Sequence, residues 1–273
     1  MYKLLALDMD GTVLSNDHTI SPYLKEVLNA VKTQVEVLFV TGRHHVAAQP
    51  YYQELALTTP TICCNGTYMY DYLNQKVLME NALKKEDALR FHKMAEEAGI
   101  KQVLYVADAM LYSDSNPVDY IQQMVHWAQL FPEEQRPRIE STDSFEDAIF
   151  SAEYVWKIVL EGLPESLSSL INDHWVQDTF NPEQSWFNRV DCAPAGNSKG
   201  NRLSQYLIEK GISPDEVMAV GDNYNDVSMI QLAGLGVAMK NAEPGVKACA
   251  DKVCETDNNG DGLAKMIEKY FLS

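Results

Sequence analysis

The sequence predicts an α/β protein: a parallel-sheet core built from the two ends of the chain, with a smaller α+β cap inserted between them. Three observations predict it. Leu4-Leu5-Ala6-Leu7, Val35-Glu36-Val37-Leu38-Phe39-Val40 and Val217-Met218-Ala219-Val220 are short apolar runs of strand length, as buried parallel strands are. Each run delivers a polar cluster at its C-terminal end: Asp8-Met9-Asp10-Gly11-Thr12, Thr41-Gly42-Arg43, and Gly221-Asp222-Asn223-Tyr224-Asn225-Asp226. Open α/β sheets place their ligands at those strand ends. Between the second and third runs lies a long segment with its own alternation of helix-like and strand-like stretches, the pattern of an independent small sheet with helices on one face.

The elements follow in order. Ser21-Pro22 is a helix start, with serine as N-cap and proline at the first helical position, and Leu24, Val27, Leu28 and Val31 continue it as an apolar stripe. Thr61-Ile62-Cys63-Cys64 reads as a third core strand ending at Asn65-Gly66. A hairpin with arms 67–72 and 75–79 follows. Lys84 to Ala98 is helix-like and stops at Gly99. Gln102 to Val106 and Met110 to Tyr112 are strand-like, Pro117 to Leu130 is helical, Tyr154 to Leu160 is a strand, Pro164 to Trp175 is helical, and Ser185 to Arg189 closes the insert with a strand. Ser198-Lys199-Gly200 opens a helix that restores the parallel core. The expected division is residues 1–83 with 190–273 as the discontinuous core and 84–189 as the cap, with hinges near Leu83 and Val190.

Asp8 and Asp10 carry the strongest chemical signal. Residues at i and i+2 of a strand project to the same side, and like charges that close raise one another's pKa unless a cation compensates. The order of these residues, together with Thr41-Gly42-Arg43, Ser198-Lys199-Gly200 and Gly221 to Asp226, resembles the haloacid dehalogenase (HAD) superfamily. Its members have a Rossmann-like parallel-sheet core and mostly hydrolyse phosphate esters. The stretch Gly221 to Met229 followed by Ala233 to Ala242 is similar to the Cof-type phosphatases, which carry a large α/β cap between the second and third motifs. His44-His45 and the turn Asp17 to Pro22 are similar to sugar-phosphate and pyridoxal-phosphate phosphatases of that group. The resemblance covers 1–65 and 191–273; across the cap it is one of length and position.

The resemblance implies a site. Asp8 is the nucleophile that forms an aspartyl-phosphate, and Asp10 is the general acid and then the base, a role typically worth ~10²–10⁴-fold. A carboxylate approaching a phosphate meets repulsion of about 4 kcal/mol per charge pair at about 4 Å and an effective dielectric near 20, so positive charge must be built in. Mg²⁺ suits an all-oxygen site and is assigned to Asp8, the Asp10 carbonyl and Asp222, with Asp226 supporting that shell. Lys199 supplies the second positive charge. Thr41, Gly42, the Met9 amide and the Asn225 side chain bind phosphate oxygens, and Thr12 orients Asp10.

Composition narrows the function classes. The net charge of −17 argues against nucleic acid, which needs a basic face. From Lys84 to Trp186 acids exceed bases 19 to 8, which reads as a solvated acidic surface or as an acidic lid that admits only small phosphates. No run approaches the roughly 18 apolar residues that span a bilayer, and no secretory signal is visible, so a cytoplasmic enzyme without membrane contact is expected. Cys63, Cys64, Cys192, Cys249 and Cys254 show no metal spacing and read as small buried hydrophobes. Trp127, Trp156, Trp175 and Trp186 all fall in the insert, as packing or as a stacking surface for a ring-bearing substrate. Lys157, interrupting an apolar strand, is expected to snorkel to solvent; His44-His45 is either surface or a leaving-group contact. The expected partner is a small phosphorylated metabolite, and oligomeric state is not legible. The leading function is a Mg²⁺-dependent phosphomonoesterase. A phosphomutase or phosphotransferase of the same superfamily, and a phosphometabolite-binding regulator without turnover, are the alternatives.

Overall fold

The protein's structure, a computed structural model, describes residues 2–272. In chain order the elements are β1 (Leu4–Leu7), α1 (Pro22–Val31), β2 (Glu36–Phe39), α2 (His45–Glu54), β3 (Thr61–Cys63), β4 (Tyr68–Asp71), β5 (Lys76–Glu80), α3 (Lys85–Glu97), β6 (Lys101–Val106), β7 (Met110–Tyr112), α4 (Asp119–Ala128), β8 (Ile139–Ser141), α5 (Phe145–Ser151) and β9 (Val155–Glu161). They continue with α6 (Pro164–Ile171), α7 (His174–Thr179), β10 (Phe180–Trp186), β11 (Arg189–Pro194), α8 (Lys199–Lys210), β12 (Val217–Gly221), α9 (Val227–Leu232), β13 (Leu235–Ala238), α10 (Pro244–Cys249), β14 (Lys252–Val253) and α11 (Gly262–Phe271). Two compact units emerge: Met1–Gly42, Tyr51–Leu78 and Ser198–Ser273 form the first, and Arg43–Pro50 with Met79–Asn197 the second.

The first unit is built on a five-stranded parallel sheet in the order β14-β13-β12-β1-β2. Its central strand β1 pairs Leu4 to Leu7 with Val217 to Val220 on one side and with Glu36 to Phe39 on the other. All four residues of β1 are fully buried, as a strand covered on both faces requires. Ser21 caps α1 by accepting the Leu24 N–H at 3.2 Å, with Pro22 opening the helix. The stripe Leu24, Val27, Leu28 and Val31 is buried. A three-stranded sheet, β3-β4-β5, lies beside β2 through the parallel bridge Val40–Ile62.

The second unit carries a six-stranded sheet in the order β10-β11-β9-β6-β7-β8, antiparallel except for the β7–β8 pair. Leu104, Val106, Ile158, Leu160, Val190 and Cys192 join residues of α3, α5, α6 and α7 in one apolar cluster, to which α4 contributes nothing. Instead, the N-terminus of α4 is held by Glu161, whose carboxylate accepts the Asp119 N–H at 2.6 Å. The helical stretch expected over 164–175 is two helices. Asp173 accepts the N–H groups of Trp175 and Val176 and so starts a second helix as its N-cap.

Lys157 does not snorkel. It is 2% exposed, pairs with Asp191 on the neighbouring strand β11, and lies over the Tyr105 ring. Its methylene stem lies in the sheet and its charge is neutralised there, so it never needs solvent. Removing one partner of a buried pair leaves an uncompensated charge, so Asp191→Ala is expected to destabilise this unit by about 3 kcal/mol, read by urea denaturation.

Two of the four tryptophans of the insert, Trp156 and Trp175, are packing residues. Trp156 is fully buried, stacks on Tyr154 and donates Nε1–H to the Ala107 carbonyl. Trp175 packs edge-on to Phe180 beneath the Arg90 guanidinium, whereas Trp186 is exposed. His44 and His45 are buried, not surface residues. His44 Nε2 bonds the Val106 carbonyl at 2.7 Å and Nδ1 accepts the Val46 N–H, a pattern that fixes the neutral ring; burial pushes its pKa down to about 3. All five cysteines are free, and Cys249, unlike the rest, is exposed. No helix among the described residues is long and apolar enough to cross a membrane.

Candidate active site

The residues singled out by sequence converge at the C-terminal ends of β1, β2 and β12 and at the start of α8, all within the first unit. Asp8 extends β1 by one residue, its N–H donating to the Val220 carbonyl at 3.0 Å, and is 5% exposed. The chain then turns sharply. The Met9 carbonyl accepts from both Thr12 and Leu14, while the Met9 N–H meets no acceptor among the described residues. Gly11 permits the turn at φ +77°, and a Cβ there would lie 2.3 Å from an Asp222 carboxylate oxygen. Glycine is required twice over, by backbone and by space. Asp10 is half exposed, with His18 Nδ1 3.7 Å from its carboxylate.

Lys199, the first residue of α8, is 1% exposed and donates to Asp8 Oδ1 and to Asp226 Oδ1, each at 2.6 Å. Asp8 Oδ2 is left without a protein donor among the described residues. Asp226 is fully used: its Oδ2 accepts the N–H groups of Asp222 and Asn223 at 2.9 and 3.0 Å. It shapes the turn after β12, and a Cβ at Gly221 would strike its side chain. The Thr12 hydroxyl, expected to orient Asp10, reaches Asp222 Oδ1 instead, at 3.4 Å.

Carboxylate oxygens of Asp8, Asp222 and Asp226 all lie within 4.8 Å of one another. Three carboxylates share one ammonium, so two negative charges are uncompensated. Burial would depress the Lys199 ammonium, but Asp226 and Asp8 outweigh it and hold its pKa above the ordinary lysine value. Burial, with repulsion from Asp226 and Asp222 only partly offset by Lys199, pushes Asp8 well above the carboxylate range. Burial and Asp226 likewise push Asp222 up to about 7. An all-oxygen donor set with two surplus negative charges fits a divalent hard cation. With Asp226 occupied, Asp8 and Asp222 are the carboxylates able to hold one.

The phosphate-binding candidates stand around this centre. Thr41 is buried after β2; its N–H donates to Ile62 and its carbonyl accepts the Asn65 N–H. Asn225 donates Nδ2–H to Asn65 Oδ1 at 3.1 Å, leaving its second N–H without a partner among the described residues. Gly200 donates its N–H to Ser228 Oγ at 3.0 Å, docking the start of α8 on α9. Two residues escaped the sequence reading. Asn241 donates to the Gly11 carbonyl at 2.9 Å and to Asp222 Oδ2 at 3.3 Å, and Asn65 links Thr41 to Asn225. Asn65-Gly66 was legible only as the end of a strand; Asn241 carried no separable signal.

A profile of the haloacid dehalogenase-like hydrolases matches residues 5–267. The pyridoxal phosphate phosphatase YbhA of Escherichia coli is 40% identical over 274 residues, covering 99% of each chain. The 5-amino-6-(5-phospho-D-ribitylamino)uracil phosphatase YitU of Bacillus subtilis is 25% identical, covering 98% of this chain and 97% of its own. Among solved structures, a haloacid dehalogenase-like hydrolase from Bacteroides thetaiotaomicron superposes with a TM-score of 0.86 at 28% identity, over 99% of this chain and 100% of that one.

Proposed function

Since the chain belongs to the haloacid dehalogenase-like hydrolase family and is a phosphatase of it, we propose that it is a Mg²⁺-dependent phosphomonoesterase of small metabolites that works through an aspartyl-phosphate on Asp8, with pyridoxal phosphate as its first substrate. The observation that carries the mechanism is Asp8 itself: one carboxylate oxygen is tied to Lys199 and the other has no protein donor among the described residues. The substrate reading rests on the 40% identity to a pyridoxal phosphate phosphatase. Sugar phosphates are the second class, favoured by the fold shared with a sugar phosphatase at TM-score 0.82.

In the proposed cycle Asp8 Oδ2 attacks phosphorus, the bond from phosphorus to the ester oxygen breaks, and Asp10 gives its proton to the departing oxygen. Asp10 then takes a proton from water, whose oxygen attacks the phospho-Asp8. Inorganic phosphate leaves and the Asp8 carboxylate is restored. Half exposure suits Asp10 to this exchange. Lys199, the Met9 and Gly42 amides, Thr41 and the free N–H of Asn225 neutralise charge on the phosphoryl oxygens, which grows in the transition state. Asp8, Asp222 and the Asp10 carbonyl would hold Mg²⁺, which when bound supplies the positive charge that Lys199 alone does not.

Phosphate release is therefore expected from pyridoxal phosphate, to vanish in EDTA and to return with excess Mg²⁺. A panel of sugar phosphates and nucleotide esters, assayed beside it, ranks the leaving groups. Absence of release from every ester would overturn the reading. Phosphate passing to a second hydroxyl instead of to water would mark a phosphotransferase.

Metal binding should also be linked to pH. Asp222 has a folded-state pKa near 7 without metal, above its unfolded value. Its contribution to stability is thus fully present below about pH 4 and lost as pH rises towards 7. A cation binds the deprotonated carboxylate. Mg²⁺ is accordingly expected to raise Tm more at about pH 8 than at about pH 5, and an equal or reversed effect in thermal melts would contradict this placement of the cation.

A further inference from the structure

Residues Cys64, Asn65 and Gly66 occupy three successive left-handed backbone positions, with φ of 48°, 56° and 90°. Only asparagine and glycine take that conformation readily, and runs of it persist where surrounding structure over-determines them, commonly at functional sites. Here the surroundings are the phosphate-binding elements. The Asn65 N–H donates to the Thr41 carbonyl at 3.0 Å, and its Oδ1 accepts from Asn225 Nδ2 at 3.1 Å. A Cβ on Gly42 would lie 2.9 Å from that same Oδ1, so the glycine leaves room for the carboxamide. A Cβ on Gly66 would strike the Ser198 carbonyl at 2.1 Å, which places this turn directly against the residue before Lys199. Arg202, 6% exposed, forks its guanidinium onto the carbonyls of Gly66 and Thr67 at 2.9 and 3.0 Å. Asn225 Oδ1 is buried without a donor, so its bond to Asn65 is what fixes the end of the carboxamide that faces away from Asn65.

We propose that Asn65 is a positioning residue for phosphate: its carboxamide sets the orientation of Asn225 and lies against Gly42, its backbone N–H holds the Thr41 carbonyl, and Arg202 clamps the left-handed turn that keeps it there. The inference rests on the phosphatase reading above. Asn65 makes no bond to substrate in this scheme; it acts through groups that do. Its removal shifts those groups relative to Asp8, and misplacement by about 1 Å can cost ~10²-fold in rate.

The test uses the whole chain with Asn65→Gly, which keeps the left-handed backbone and deletes the carboxamide, and with Asn225→Ala and the double variant. Steady-state constants for pyridoxal phosphate, the inhibition constant of inorganic phosphate and Tm are measured for each. Asn65→Gly is expected to raise both KM and the phosphate inhibition constant about ten-fold, the effect of one hydrogen-bonded donor turned away. Asn225→Ala should cost a similar factor alone but less than about twofold when added to Asn65→Gly, because its orientation is already lost. Arg202→Lys, which removes the fork and not the charge, should raise the phosphate inhibition constant in the same direction and stands in should Asn65→Gly fail to fold. A lowered Tm with unchanged KM and phosphate inhibition constant would reduce Asn65 to a structural residue and overturn the inference, as would losses that simply multiply in the double variant or an unchanged inhibition constant in Arg202→Lys. If the wild-type protein neither turns over esters nor binds phosphate, the phosphatase reading itself falls and takes this inference with it. If wild type is active and Asn65→Gly matches it, only the inference falls.

Discussion

Asp8→Asn is expected to reduce phosphate release by about 10⁴-fold or more, the scale seen when a covalent nucleophile is removed, without loss of the cooperative fold. Asparagine has the same shape and can still accept the Lys199 ammonium proton through its amide oxygen, so the 2.6 Å contact has a substitute. What it lacks is the second carboxylate oxygen, the attacking atom. Stability should not suffer, because without metal the Asp8 charge is a burden: burial and the neighbouring Asp226 raise its pKa. For an acid raised in the folded state, stability is present below the unfolded pKa and lost as pH climbs, so a neutral amide relieves the folded state at neutral pH. The metal-free variant should accordingly melt no lower than metal-free wild type. A lower melting temperature would mean that the ion pair with Lys199 dominates.

Lys199→Met combines the largest loss of stability with a loss of turnover. The ammonium is the sole cation bonded to both Asp8 and Asp226 among the described residues, and both carboxylates are buried. Methionine keeps the stem and its packing but strands two charges. Breaking a buried pair by removing one partner typically costs about 3–5 kcal/mol. Asp226 also holds the N–H groups of Asp222 and Asn223, so the turn carrying Asp222 should loosen with it. The expected signature is a Tm drop that high Mg²⁺ partly recovers, because a cation on Asp8 and Asp222 restores some of the missing charge, together with turnover that Mg²⁺ does not recover. Unchanged stability in urea would show that the carboxylates protonate instead of straining the fold.

Much of this arrangement is legible from sequence because each chemical residue is tied to a strand end. Asp8, Thr41 and Asp222 follow apolar runs, and the sheet order β12-β1-β2 brings those ends side by side. What stays hidden depends on contacts remote in the chain. Asn65 and Asn225 meet across 160 residues and Gly11 and Asn241 across 230, and neither Asn65 nor Asn241 has a local pattern that marks it. Lys157 reads as a snorkelling lysine because its partner Asp191 lies on a strand paired later in the chain. The strand expected at 185–189 instead straddles the end of β10, the turn at 187–188 and the first residue of β11, because β10 is the edge of its sheet and its sequence Phe-Asn-Pro-Glu-Gln-Ser-Trp is polar; proline is tolerated at such an edge and suppresses the strand signal. Helix α5 has only seven residues, too few to display a helical period.

The central claim is that phosphate passes through a covalent bond to Asp8. It is tested most directly by acid-quenching the enzyme during turnover of radiolabelled pyridoxal phosphate with Mg²⁺, then reducing the acyl phosphate with borohydride. The account predicts label on the quenched protein and, after reduction, homoserine at position 8, with neither in Asp8→Asn. Full turnover that leaves no label on the protein and no reduced residue at position 8 would contradict it and move the attack to water.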